Sequence, residues 1–180
     1  MSAFNAAFDK LSLGEVPDFA ALVAKNGAHN LETTKLCSLI EDKDEKIAKA
    51  AMNAVIALMA VPDAEAYVVP TIGSILSRAA DRDASVRELV PTAAFAVVDG
   101  VNPFALKSLL PFIFSKLPVE QKWQIREVAL NCITRMNKVA PRQLGNALPE
   151  IVPEVTACMW DTKKQVKVSP RISKTKQSKA

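Results

Sequence analysis

The chain offers few side chains able to do bond-making chemistry, and their spacing is poor for it. His29 is its one histidine, so a Ser-His-Asp arrangement would have to be built on it. Its GAHNLE context reads instead as a surface turn, with Asn30 capping the helix that follows. Cys37, Cys132 and Cys158 are odd in number, far apart and set in apolar helical patterns. They read as core fillers in a reducing compartment, neither a disulfide framework nor a zinc set, since no CxxC occurs. Asp42, Asp44 and Glu45 cluster, but they suit a helix start and lack the ligand spacing and central glycine of a calcium loop. Neither GxxxxGKS nor GxxxxGKT is present, so no phosphate-binding loop is expected. The expectation is a chain with no catalytic, cofactor or metal site of its own.

What remains is binding chemistry, carried by positive charge. The formal net charge is +4 over 180 residues, yet all 19 acidic residues fall within 1–162 and outnumber the basic ones there. Lys163, Lys164, Lys167, Arg171, Lys174, Lys176 and Lys179 follow with no acidic residue among them. With Lys122 and Arg126 at an earlier turn, they are the candidate contacts to nucleic acid. Such residues touch phosphate and carry no base code, and without interleaved aromatics the tail is unsuited to reading single-stranded sequence. A merely solubilising tail is the competing reading. Trp123 and Trp160 are assigned to packing, with partner contact as the alternative.

The elements that position these residues follow from the hydrophobic pattern. Alanine-rich blocks, five glycines and a single tyrosine favour helices over sheet. Three segments share apolar positions at offsets 0, 3, 4, 7, 8 and 11, which is one buried helical face. They are Ile47, Ala50, Ala51, Ala54, Val55, Leu58; then Val86, Leu89, Val90, Ala93, Ala94, Val97; then Ile125, Val128, Ala129, Cys132, Ile133, Met136. Each set starts 39 residues after the last. A period near 40 with two helices per unit predicts an all-α, HEAT-like solenoid of antiparallel helix pairs, because a lone pair cannot cover its own apolar faces.

Partner helices are expected over 32–40, 65–79 and 103–117, the last capped by Asn102 with Pro103 at its first position, and a fourth over 148–160. Pro70, Pro111 and Pro153 recur inside these partners and should kink or reset them. An acidic residue stands six before a basic one in three units: Asp81 and Arg87, Glu120 and Arg126, Asp161 and Lys167. These pairs suggest a charge ladder along the stack. Thr162 and Gln165 suggest a capping box for a fourth second helix, which Ser169 and Pro170 then interrupt. The expected organisation is an irregular helical segment over 1–29, with a helix near Ala3–Lys10, repeats over 30–168 with about three complete pairs and a partial fourth, and a flexible basic tail over 169–180.

Four stretches carry a more specific signal: AKAAMNAVIAL at 48–58, VNPFALKSLLPFI at 101–113, KWQIREVAL at 122–130 and LPEIVPEVTACMWDTKKQVK at 148–167. Together they resemble the amino-terminal HEAT region of fungal-type translation elongation factor 3, a ribosome-dependent ATPase. The resemblance implies a ribosome-binding module that contacts small-subunit RNA and protein during elongation. It transfers no ATPase residue to this chain, and ATP is implied only where the family's ATP-binding cassettes accompany it. A generic HEAT scaffold holding a protein or peptide along its second-helix row is the alternative.

No secretion signal or membrane span is expected, and the cytoplasm is the expected compartment. The fourth first helix brings Leu148, Ile151, Val152, Val155 and Met159 to an end with little to cover it, so self-association through the carboxy-terminal end is a further expectation, unless Val166, Val168 and Ile172 fold back over it.

Overall fold

The computed structural model describes residues 3–167, and among these there are helices and turns with no strand. The eleven α-helices are α1 (Ala3–Leu11), α2 (Phe19–Asn26), α3 (Thr33–Ile40), α4 (Glu45–Leu58), α5 (Glu65–Val68), α6 (Ile72–Ser77), α7 (Ala84–Gly100), α8 (Leu110–Phe114), α9 (Trp123–Val139), α10 (Pro141–Asn146) and α11 (Leu148–Cys158). Short 3₁₀ turns join several of them.

The three sequence repeats become the long second helices α4, α7 and α9. Within each set the positions at offsets 4, 7, 8 and 11 are buried, because they face both the partner helix and the next unit. α4 packs on α7 and α7 on α9, while the first helices form a parallel row in which α3 meets α6 and α6 meets α8. This two-layered stack is the expected solenoid. A single apolar core runs through it from Phe4 to Val166.

The first helices are more broken than expected. Pro70 lies in the 3₁₀ turn Val69–Thr71 between α5 and α6, and Pro111 sits in the first turn of α8 after a 3₁₀ turn at Leu106–Leu109. A proline has no N–H to give to the preceding turn, so each helix restarts there instead of running through. Pro153, by contrast, is accommodated inside α11. Asn102 Oδ1 accepts the Phe104 N–H at 3.0 Å, but this closes a local turn, and regular helix begins only further on.

The amino-terminal segment carries α1 as expected and also α2, whose N-cap Asp18 accepts the Ala21 N–H at 2.9 Å. The Phe8 and Phe19 rings meet at 5.5 Å, and α1 and α2 cover the exposed side of α3 and α4. Asn30 is not a helix cap: its amide donates to the Asn26 carbonyl and meets the exposed His29 ring, and α3 starts after Glu32 without a side-chain cap.

Candidate functional site

The turns between first and second helices share one construction. Asp42, Asp81 and Asp161 each accept, at 2.8 Å, the N–H of the residue two further on, which folds the turn tightly ahead of the second helix. Asp44 and Asp83 then cap α4 and α7 by accepting the Lys46 and Val86 amides. The third turn has Glu120 and Gln121 in place of the first aspartate and Lys122 in place of the cap, and no side-chain cap forms on α9. The fourth turn follows the aspartate rule, with Asp161 receiving the Lys163 amide, but residues 162–167 form bends and turns with no helix, so the capping box expected of Thr162 and Gln165 has no helix to start.

An arginine in the first turn of the second helix completes the design. Arg87 Nη1 donates to the carbonyls of Asp81 and Arg82, both at 2.8 Å. Arg126 Nη1 donates likewise to the carbonyls of Val119 and Gln121. The expected ladder pairs are therefore not ion pairs. The Asp81 carboxylate is held by Arg78 at 2.8 Å, while Asp161 is held by Arg126 of the preceding unit at 2.5 Å. Units are linked instead by Lys49 to Ser85, Asp99 to Arg135 and Arg126 to Asp161, each spanning one repeat.

This geometry sorts the candidate contact residues. Arg126 is corrected: at 5% exposure, with its two Nη atoms turned to two carbonyls and a carboxylate and its Nε buried, it has no surface to offer RNA. Lys122, Lys163, Lys164 and Lys167 are exposed, and none has a carboxylate within ion-pair distance among the described residues. Arg171, Lys174, Lys176 and Lys179 lie outside the described residues. Lys43 and Arg82 were missed from sequence; both are exposed at the equivalent point of the first two turns. Their recurrence four residues before the repeat start was the available signal.

The first three turns border one cleft of about 960 Å³, lined among others by Lys43, Glu45, Arg82, Asp83, Glu120 and Lys122. Its lining is of mixed charge throughout, with Lys43, Arg82 and Lys122 set among Glu45, Asp83 and Glu120. Hydrogen bonds from Ser85, Glu45 and the Val86 amide hold the Asp83 carboxyl well below its ordinary range. Glu45 is raised in turn, because its carboxyl hydrogen-bonds to and faces Asp83. Nothing in the cleft pairs a nucleophile with a base. The buried Cys132 thiol is pushed up to about 12 by desolvation, the reverse of what a reactive thiolate requires.

Trp123 packs half-buried against the core as expected, whereas Trp160 does not pack. Trp160 is 82% exposed, because α11 ends at Cys158 and no described element stacks beyond it. Of the apolar residues on α11, Ile151 is buried and Val155 packs on the core, while Leu148 and Val152 stay largely exposed. Val166 is fully buried and closes part of this end; Val168 and Ile172 lie outside the described residues.

Residues 15–171 match the family model described as the EF3 N-terminal HEAT repeat. The chain belongs to this family. It is 40% identical over 112 residues to elongation factor 3 of Phytophthora infestans, an overlap of 62% of this chain and 11% of that protein. It is 33% identical over 138 residues to elongation factor 3A of Saccharomyces cerevisiae, covering 74% of this chain and 13% of that one. The match to elongation factor 3 of Gonapodya prolifera is 30% over 175 residues, or 93% of this chain and 16% of that protein. The chain thus spans a small fraction of the relatives it matches. All four stretches that carry the sequence resemblance fall inside the matched region of the EF3 N-terminal HEAT repeat. No helix among the described residues is long and apolar enough to cross a membrane.

Proposed function

We propose that this chain is a non-catalytic ribosome-binding HEAT module acting in cytoplasmic translation elongation, with small-subunit RNA and protein as its target. Membership of the EF3 N-terminal HEAT repeat family carries this reading. The turn edge supplies a physical means: Lys122, Lys163, Lys164 and Lys167 are exposed and have no acidic ion-pair partner among the described residues. Lysines presented in this way bind phosphate and release counterions, giving affinity that falls with salt. The tail residues Arg171, Lys174, Lys176 and Lys179 add to the same charge. The sequence holds no phosphate-binding loop motif, so no ATP turnover is expected of this chain by itself.

Co-sedimentation with small ribosomal subunits tests the proposal. Binding should be present near about 50 mM salt and weaken strongly by about 300 mM. Absence of binding at every salt concentration would favour the second reading, a protein scaffold. A groove of about 550 Å³ lined by Val69, Pro70, Ala105 and Phe112 lies between the first helices of units two and three, on the row opposite the second-helix row to which the scaffold reading assigned its partner.

A further inference from the structure

The groove on the first-helix row combines an apolar lining with charge of one sign. Val69 and Pro70 come to it from unit two, and Ala105 and Phe112 from unit three. Its lining also carries two carboxylates, Asp63 and Glu65, and no cation. Neither has an ion-pair partner among the described residues. The Asn102 N–H donates to Glu65 Oε1 at 3.1 Å, which fixes that carboxylate between the two units. Asn102 Oδ1 closes the turn on which Phe104 stands 85% exposed. Pro70 has no N–H to give to the carbonyl of Ala66, an exposed residue of the same lining.

We propose that this groove takes an extended, cationic peptide segment of another protein. One lysine or arginine of that segment meets Asp63 and Glu65, and a neighbouring apolar side chain covers Val69, Pro70 and Phe112. Two carboxylates without a counter-charge attract a cation and repel a phosphate backbone, which sets this surface apart from the lysine-bearing turn edge. The apolar lining gains only from an occupant that removes it from water, so a free cation alone does not suffice. The exposed Phe104 ring offers a face to a cation arriving at the same turn. An extended segment fits better than a helix, because its own N–H groups are free to donate to the Ala66 carbonyl. A segment of a few residues buries far less than the roughly 800 Å² per partner of a stable interface, so the contact is weak by itself.

Fluorescence anisotropy of the full 180-residue chain with a labelled peptide of alternating lysine and leucine tests this. A Kd on the order of 100 μM is expected, and the same peptide with glutamate for lysine should bind at least about tenfold more weakly. Asp63→Asn with Glu65→Gln, which keeps an oxygen for the Asn102 N–H, should remove that preference at unchanged melting temperature. Ser108→Trp, at an exposed position of the lining, should fill the groove and abolish binding, again at unchanged melting temperature. Equal binding of the two peptides, no binding of the lysine peptide up to about 1 mM, or binding indifferent to these substitutions would overturn the proposal. So would a lysine peptide that binds only once Arg171, Lys174, Lys176 and Lys179 are replaced by serine, since the groove would then belong to this chain's own carboxy-terminal segment.

Discussion

The Arg126 guanidinium lies 2.5 Å from the Asp161 carboxylate across the boundary between the third and fourth units, and both side chains are almost wholly shielded from water. The same guanidinium also donates to two carbonyls of its own turn. One side chain therefore fixes a turn, starts a helix and ties the last unit to the stack. Removing it would leave the buried Asp161 carboxylate without its counter-charge, held only by the Lys163 amide, and would take this donor from two carbonyls. Arg126→Ala should cost about 3–5 kcal/mol, and Arg126→Lys should recover little of it, because an ammonium cannot reach all three acceptors with a planar fork. Denaturant melts check this, and a cycle with Asp161→Asn should show strong coupling.

Ile125 and Ile133 lie buried between α9 and the preceding helices. Alanine at either should cost roughly 2–5 kcal/mol, because the removed methyl groups forfeit their burial and leave a residual cavity. His29→Ala, at an exposed 3₁₀ turn, should stay within about 0.5 kcal/mol. Equal small effects in all three would contradict the assignment of the buried face.

Charge reversal at Lys122, Lys163 or Lys164 should weaken small-subunit binding and lower the log–log salt slope by about one for each phosphate no longer neutralised. Melting temperatures should be unaffected, as these side chains stand in water. Binding titrations at several salt concentrations separate this effect from the structural damage expected at Arg126.

Asp83 and Glu45 give opposing pH effects. The folded Asp83 carboxyl is depressed, so its contribution is present above the unfolded value and is lost as pH falls through the lower folded one. Glu45 is raised, so its ionisation opposes folding, and that opposition is relieved as pH falls through its folded value toward the unfolded one. Asp83→Asn removes the first and relaxes the second. Asparagine caps helices well, so stability near pH 7 should change little. Below about pH 4 the variant's melting temperature should fall less steeply than that of the parent chain.

The three thiols should react in order of access. Cys132 is buried, with its thiol pushed up to about 12, and should resist a disulfide reagent in the native state. Cys37 is only partly buried and should react first, although burial raises its pKa too. Absorbance during native labelling, with a denatured control, checks the order.

By itself the sequence determined the repeat and its buried face, because each long second helix must hide a recurring stripe, and that stripe is written in residue types at fixed offsets. Val86, Ala93 and Val97 were legible as core for this reason, and so was the all-α class. Lys122, Lys163 and Lys164 were legible as cations on turns. What a charge does, however, depends on neighbours that lie a whole repeat away. Arg126 and Lys122 look alike in sequence, yet the stack brings Asp161 onto one and leaves the other in water. Trp123 and Trp160 differ in the same way: the first packs half-buried on the core, and the second stays exposed because no described element stacks beyond α11. Exposure and pairing are properties of the space between units, set by how one helix pair lies on the next. Only the tertiary structure decided them, because a side chain's partner is chosen by proximity after packing and not by distance along the chain.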